Sequence, residues 1–485
     1  MCGIVGYWAK ECRSDILSHS LEQAVESLHH RGPDDQGVWK TSDSSVGLGH
    51  SRLSILDLSS SAHQPMVSRD GRYIIAYNGE VYNFLQIRQE LETRGYAFRS
   101  NGYTEVVLNA FQEWAEKAVH RFIGMFAFAI WDEKEGRLLL FRDRLGVKPL
   151  YYAWVGKKFL FASELKALQA LKEFHLEIDR HALGEFLQYG YISAPRSIYK
   201  KVWKLPPGHW LELRQDDEPI VKQYWSVLDA LDSPLTGSEE DLAEQLEELL
   251  VDAFKYRLVS DVPVGVFLSG GVDSSLVTSL LQRHSSRDIR TFTIGFRGNR
   301  FDESRYARRV AEHLGTMHTE LVVDETMAMD ILPDWASLYD EPFGDSSGIP
   351  TFLVSKLARE QVKVALSADG GDELFGGYNN YLLRPRDADL LRRTPYFLKS
   401  FGAHILNGLS KKTFWSIDSL FNSGKGNKTS DRLKKLSLAL PSAHPAVIFD
   451  LAVSIWLPYE LKTLLGSYSS DRKNPMRIPV PSMNK

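Results

Sequence analysis

Residues 262–268, VPVGVFL, form an apolar run that passes straight into SGGVDSS (269–275) and then into the helical stretch SLVTSLLQR (275–283). An apolar run without polar alternation reads as a strand buried on both faces. A strand that turns through glycines directly into a helix reads as the start of a β–α–β unit. The pattern recurs at TFTIGF (291–296), and again where VKVALS (362–367) opens into ADGGDELFGGY (368–378). This alternation predicts a doubly wound parallel sheet for the second half of the chain. In such sheets ligands bind at the carboxyl ends of the strands, where both glycine-rich loops would fall.

The first loop has the chemistry of an anion site. Glycines let the backbone approach a phosphate closely, and the hydroxyls of Ser269 and Ser274 stand at a helix N-terminus. No G-x-x-x-x-G-K-[ST] loop is present. Taken alone, the segment could also be a tight strand-to-helix turn, the weaker of the two readings. The second loop carries Asp369, Asp372 and Glu373. Acidic loops are often only solvated, but carboxylates at a strand end suit Mg²⁺, which takes hard oxygen ligands.

The first half differs. GIVGYWA (3–9) reads as a strand, and residues 14–32 as a helix capped by Ser14. Short strands follow, then amphipathic helices at 84–95 and 104–117. Residues 125–143 predict a hairpin turning at Asp132 to Gly136, and residues 148–164 predict a second. The result is a mixed α/β layer domain with antiparallel sheet over 2–203. The acidic, proline-bearing stretch 204–240 reads as a connector, 241–466 as the second domain, and 467–485 as a disordered tail.

Cys2 directly follows the initiator methionine, and Cys12 is the only other cysteine. A residue as small as cysteine permits methionine removal, which would place the thiol beside its own α-amine. An amine with an ordinary pKa near 8 can then act as the local base. Asn78 and the Gly79 amide suit an oxyanion, while Arg31, Asp34, Arg52 and Glu80 supply charges for a substrate. Each is weak alone, since Asn-Gly is a common hairpin turn.

Two cysteines exclude a disulfide framework and fit a reducing, cytoplasmic setting. With 62 acidic and 58 basic residues, the chain lacks the basic excess of a nucleic-acid or anionic-membrane binder. It has no apolar run near the ~20 residues that span a bilayer.

Together the motifs resemble a known family. CGIVGY, RGPD, RLSILD, YNGEVYN, GMFAFAIWD, RDRLGVKPLYY and FASELKAL are similar to the class II glutamine amidotransferase domain. DVPVGVFLSGGVDSS, DEPFGDSSGIPT and SADGGDELFGGY resemble the synthetase domain of glutamine-hydrolysing asparagine synthetases, an ATP-pyrophosphatase fold. The resemblance implies an N-terminal αββα sandwich of the N-terminal-nucleophile type, followed by a doubly wound parallel sheet. It implies ATP and Mg²⁺, with glutamine and aspartate as substrates; a homodimer is compatible with it.

By resemblance, Cys2 is the nucleophile, and Asn78 and Gly79 form the oxyanion hole. Arg52, Leu53, Ser54, Ile55, Asn78, Gly79, Glu80 and Tyr103 line the glutamine site. Leu268, Ser269, Gly270, Gly271, Asp273, Ser274, Ile294, Ser367, Ala368 and Asp369 contact ATP or pyrophosphate, and Asp273 and Asp372 meet the metal. Glu341 matches a position that assists ammonia attack, with Asp345 beside it.

Two departures stand out. Where the family usually reads Ser-Asp-Thr-Glu, this chain reads NGYTE, placing Tyr103 where an aspartate would hold glutamine's α-ammonium. A tyrosine offers a hydroxyl and a ring face but no negative charge, which predicts weakened glutamine use. The patterns D-R-x-S-M-A and S-L-E-x-R-x-P are also missing, so the synthetase domain reads as shortened at its carboxyl end. Alternatives are a family member acting on another carboxylate, such as a sugar acid or a peptide, and a catalytically impaired homologue that only binds nucleotide.

Overall fold

The computed structural model describes residues 1–9, 15–171, 176–215, 218–232, 234–285, 288–297, 302–378, 391, 393–408, 428–441 and 444–466. Ser14 and the tail 467–485 lie outside them. The chain forms two compact units: Met1–Ala182 with Ile192–Ser367, and Leu183–Tyr191 with Ala368–Asp471.

The first unit begins with two six-stranded antiparallel sheets. The first holds β1 (Gly3–Ala9), β2 (Asp35–Lys40), β3 (Val46–Arg52), β8 (Tyr151–Val155), β9 (Lys158–Ala162) and β10 (Val202–Lys204), in the order β10-β8-β9-β1-β3-β2. The second holds β4 (Met66–Val67), β5 (Tyr73–Val81), β6 (Gly124–Asp132), β7 (Arg137–Arg142), β11 (His209–Arg214) and β12 (Ile220–Gln223), in the order β12-β11-β7-β6-β5-β4.

Strand alternation explains the layering. On β5, Ile74 and Ala76 face the first sheet and join Ile4, Trp8 and Leu48 in the core between the sheets. Their neighbours Tyr73, Ile75 and Tyr77 face outward, against α2 (Phe84–Thr93) and α3 (Tyr103–Trp114). The far face of the first sheet is covered by α1 (Asp15–Glu26) and α4 (Leu165–Ala170). Gly49 of β3 is needed there, because a Cβ would stand 2.4 Å from Val25 of α1. Helix, sheet, sheet, helix is the expected αββα sandwich.

The segment 204–240 is not simply a connector. HWLELR and IVKQ pair as β11 and β12, and β11 also pairs with β7, Leu211 opposite Leu140. The acidic, proline-bearing residues between the two strands have the composition of a linker.

α6 (Glu239–Arg257) starts on a capping box, Ser238 Oγ accepting from Asp241 N at 3.1 Å. After it comes a four-stranded parallel sheet of β13 (Val264–Phe267), β14 (Arg290–Phe296), β15 (Met317–Val323) and β16 (Val364–Leu366), in the order β15-β14-β13-β16. Between these strands run α7 (Val272–His284), α8 (Ser304–Leu314), the short α9 (Glu325–Met329) and α10 (Trp335–Leu338), and α11 (Gly348–Arg359). Phe292 packs on Ala358 of α11, whereas Leu268 packs on Ala307 and Ala311 of α8. Helices therefore cover both faces, as the apolar strands predict.

In the second unit, helices Tyr396–Gly408, Lys428–Ala439, Pro445–Val453 and Pro458–Leu465 surround a small core of Ala439, Ile448, Leu451 and Leu457. Tyr189 Oη donates to Asp450 at 2.8 Å and Gln188 Nε2 to Ser454 at 3.1 Å. Among the described residues, no helix is long and apolar enough to cross a membrane.

Candidate active sites

Cys2 immediately precedes β1 and is 7% exposed. Because Gly3 pairs with Ser51, the thiol falls against the end of β3, and Leu53 N–H points at Sγ from 3.4 Å. Arg31 Nε donates to the Cys2 carbonyl at 2.8 Å, and its Nη1 to Glu164 at 2.6 Å. Backbone and salt-bridge contacts thus fix the thiol before any ligand arrives.

β5 supplies the facing wall. Asn78 is fully buried, yet neither atom of its amide has a hydrogen-bond partner. A buried amide without partners costs about 1–3 kcal/mol, so it marks a place built for something else. Gly79 follows because a Cβ there would stand 2.2 Å from Met125 O. Burial pushes the Glu80 carboxyl upward.

Arg52 is committed inside the protein. Its Nη2 donates to Asp57 O and its Nη1 to Ser59 O at 3.2 Å, shaping the loop Leu53–Ser59. A carboxylate ligand would have to share a guanidinium already engaged by two carbonyls. Ser54 N donates to Asp34 Oδ2 at 2.8 Å, so Asp34 also braces this loop.

Tyr103 opens α3, its ring 5.6 Å from that of Tyr77 and 6.4 Å from that of Phe84. Burial raises its hydroxyl far above the usual range, with the negative charges of Cys2 and Glu80 adding to the effect. Between Tyr103, Ile55, Glu80, Phe84, Tyr256 of α6 and Val259 just beyond it remains a cavity of only about 10 Å³. That is room for about one water.

Two buried groups beside this site carry no motif signature. Lys148 is 2% exposed, and burial lowers its ammonium to about 8 despite the pull of Glu80. His50 Nε2 donates to Tyr77 O, 3.0 Å away, and burial drops the imidazole to about 3, so it is neutral at pH 7. Lys148 lies in the quoted stretch GVKPLYY, where a lysine among apolar residues was the only available sign.

At the parallel sheet, Leu268 and Ser269–Ser274 leave the carboxyl end of β13, and Ser367 leaves that of β16. Ile294 lies near the end of β14 but packs on the α11 side, opposite Leu268. Gly270 has φ +81, and a Cβ would reach Ala307 N at 2.5 Å. Ser269 Oγ and Ser274 Oγ lie 2.9 Å apart, and Gly271 N donates to Ser269 Oγ at 3.2 Å. Asp273 stands in the first turn of α7.

Ala368, Asp369 and Asp372 belong to the second unit. There Gly370 (φ +95) leads into the short helix Gly371–Phe375, and Gly371 N donates to Ala368 O at 3.3 Å. Among the described residues, no three His, Cys, Asp or Glu side chains gather into a metal cage. Mg²⁺ that travels with nucleotide phosphates needs only one or two carboxylates, so Asp273 alone suits it.

Glu341 is more constrained than its motif suggests. Oε1 accepts from Ile198 N at 2.7 Å, while Oε2 meets Lys204 Nζ at 2.5 Å and Tyr151 Oη at 3.3 Å. Both oxygens are therefore held by the amidotransferase-like layers. Asp345 instead turns inward on its own loop, accepting from Ser347 N at 2.8 Å.

A thiol at the head of β1 in an αββα sandwich, joined to a parallel sheet with a Ser-Gly-Gly loop, defines an amidotransferase coupled to a second catalytic domain. Comparison with known families agrees. Residues 1–225 match the glutamine amidotransferase domain and residues 245–445 match asparagine synthase. A Methanocaldococcus jannaschii protein, provisionally named asparagine synthetase (glutamine-hydrolysing) 2, is 39% identical over 84% of this chain and 82% of its own length. Asparagine synthetase (glutamine-hydrolysing) 1 of Bacillus subtilis is 36% identical over 84% of this chain and 63% of its own length. Amidase chry2 of Gibberella zeae is 31% identical, over 79% of this chain and 60% of its own length. The chain belongs to the glutamine-hydrolysing asparagine synthetase family, a family of ligase-type amidotransferases.

Proposed function

We propose that the chain converts aspartate, glutamine, ATP and water into asparagine, glutamate, AMP and pyrophosphate. The observation that carries this reading is the pairing of a buried thiol, gripped by Leu53, with a buried Asn78 amide that has no partner.

In the first half-reaction Cys2 Sγ attacks the glutamine side-chain carbonyl, and Asn78 Nδ2 with the Gly79 N–H donates to the oxyanion. Ammonia leaves, and water hydrolyses the remaining glutamyl thioester. The base would be the α-amine of Cys2 once Met1 is removed. The neighbouring setting supports that role, since burial draws the terminal amine of Met1 down to about 6.

A carboxylate is a poor electrophile, so the acid must first acquire a leaving group. Its oxygen attacks the α-phosphorus of ATP and expels pyrophosphate; ammonia then displaces AMP from β-aspartyl-AMP. We assign Ser269, Gly270, Gly271, Asp273 and Ser274 to the pyrophosphate end, and Leu268, Ile294, Ser367, Ala368 and Asp369 to the rest of ATP. Mg²⁺ bound through Asp273 would neutralise phosphate charge. For Glu341 to assist ammonia attack, Lys204 or Ile198 would have to release one of its oxygens.

Aspartate-dependent ATP–pyrophosphate exchange tests the reading, and its absence would refute it. A second reading has another carboxylate as acceptor, since a 31% identical relative bears a name other than asparagine synthetase, that of an amidase. AMP release across a panel of carboxylic acids distinguishes the two.

A further inference from the structure

The loop Leu53–Ser59, which closes the thiol site, is fastened on its other side to the parallel sheet at two points. Lys363 Nζ reaches Asp34 Oδ2 at 2.9 Å and Ser54 O at 3.4 Å. Asp261 N donates to Ile55 O at 3.1 Å, and Asp261 Oδ2 accepts from Asp57 N at 2.8 Å. Hydrogen bonds from Lys363 and Ser54 outweigh the effect of burial and hold the Asp34 carboxyl below its usual range, so it is anionic at neutral pH.

The positions of these two residues in the sheet give the contacts their meaning. Lys363 immediately precedes β16, and Asp261 lies just ahead of β13. These strands are paired neighbours, Val264 opposite Val364 through Val266 opposite Leu366. Their carboxyl ends carry Ser367 and Ser269–Ser274 respectively. From Lys363 to Ser367 is about 13 Å of strand at ~3.3 Å per residue. The same two strands therefore hold the nucleotide loops at one end and the thiol loop at the other.

We infer that Asp261 and Lys363 are positioning residues that couple nucleotide occupancy to the Cys2 site. A paired strand moves as a unit, so a tilt or slide imposed at Ser269–Ser274 reaches Leu53, whose N–H touches Sγ. Ammonia released before the acid is activated would be lost, and this linkage times the thiol to the nucleotide. The inference rests on the nucleotide reading of the first loop.

The test is the rate of Cys2 alkylation by iodoacetamide, read by mass spectrometry on the N-terminal peptide that ends at Lys10, with and without ATP and Mg²⁺. ATP binding is followed in parallel by calorimetry. Saturating ATP should change the native rate by about fivefold or more, the lower end of typical coupling between sites. Asp261→Ala and Lys363→Met should abolish that change while ATP still binds. Asp261→Asn keeps an acceptor and Lys363→Arg a cation, so both should retain it. Glu320→Gln, which breaks the 2.8 Å pair with Arg308 elsewhere on the sheet, should also retain it. The Lys363 and Asp34 side chains are 25% and 26% exposed, so Lys363→Met leaves no buried hole. An alkylation rate indifferent to bound ATP, or a response that survives both removals, overturns the coupling. Failure of ATP to bind the native protein instead overturns the nucleotide reading, and the coupling with it.

Discussion

The Tyr103 ring stands 5.6 Å from the Tyr77 ring, and we propose that it takes the place of an aspartate that would meet glutamine's ammonium. The phenol fills this space and brings no charge, and only about 10 Å³ remains open beside it. Tyr103→Asp should lower the glutamine KM about tenfold or more, the worth of a charge-assisted hydrogen bond plus the room gained. An unchanged KM would show that the phenol is not what limits glutamine.

Asn78 offers a separation of stability from activity. Its amide has no partner to lose, so Asn78→Ala should shift stability by no more than about 1 kcal/mol in urea unfolding. Glutaminase turnover should nevertheless fall about 10²–10³-fold, as when an oxyanion donor is removed. A large loss of stability with little loss of turnover would make Asn78 structural.

Gly79→Ala should do the reverse. The new Cβ would stand 2.2 Å from Met125 O and 2.6 Å from Phe126 Cα, both backbone atoms that cannot swing aside. Separating β5 from β6 should cost about 2 kcal/mol or more, visible as a lower urea midpoint. An unaltered midpoint would mean that this ladder yields easily.

Acid should weaken the fold through Glu164. Burial alone would raise this carboxyl, but His30 and Arg31 hold it at about 2, below the ordinary 4.5. A depressed acid contributes its stability above its unfolded pKa, and that stability is lost as pH falls from about 4.5 towards 2. The contribution is of order 3 kcal/mol. Asp340, raised by burial and by Glu164 to about 6, works the other way, favouring the fold below 3.8 and losing that advantage as pH rises through 6. Comparing Glu164→Gln with the native protein at pH 3 and pH 6 reads Glu164 together with the part of the Asp340 shift that it causes: the variant should lose less stability at pH 3. Parallel losses would contradict the assignment.

These properties were unevenly legible in the sequence. The apolar runs of β5 and β13 mark both as buried strands, and the helix that directly follows β13 marks its sheet as parallel, so these strands follow from local pattern. The pairing of β11 with β12 did not, because the acidic, proline-bearing residues between them have the composition of a linker. Cys2, Asn78 and the Ser269–Ser274 loop stand out as motifs. The commitments of Arg52 to Asp57 and Ser59 do not, since a sequence shows that an arginine is present but not which carbonyls it has already met. The contact between Asp34 and Lys363 joins residues 329 positions apart and is created only by the packing of sandwich on sheet.

The most direct test of the account is amide formation from ¹⁵N-labelled ammonium and from amide-labelled glutamine, each with aspartate and ATP, in native and Cys2→Ala protein. The account predicts that the native protein incorporates label from both sources and that the variant incorporates it from ammonium alone. Continued transfer from glutamine without the Cys2 thiol would contradict it, as would a native protein that forms no aspartate-dependent amide from either source.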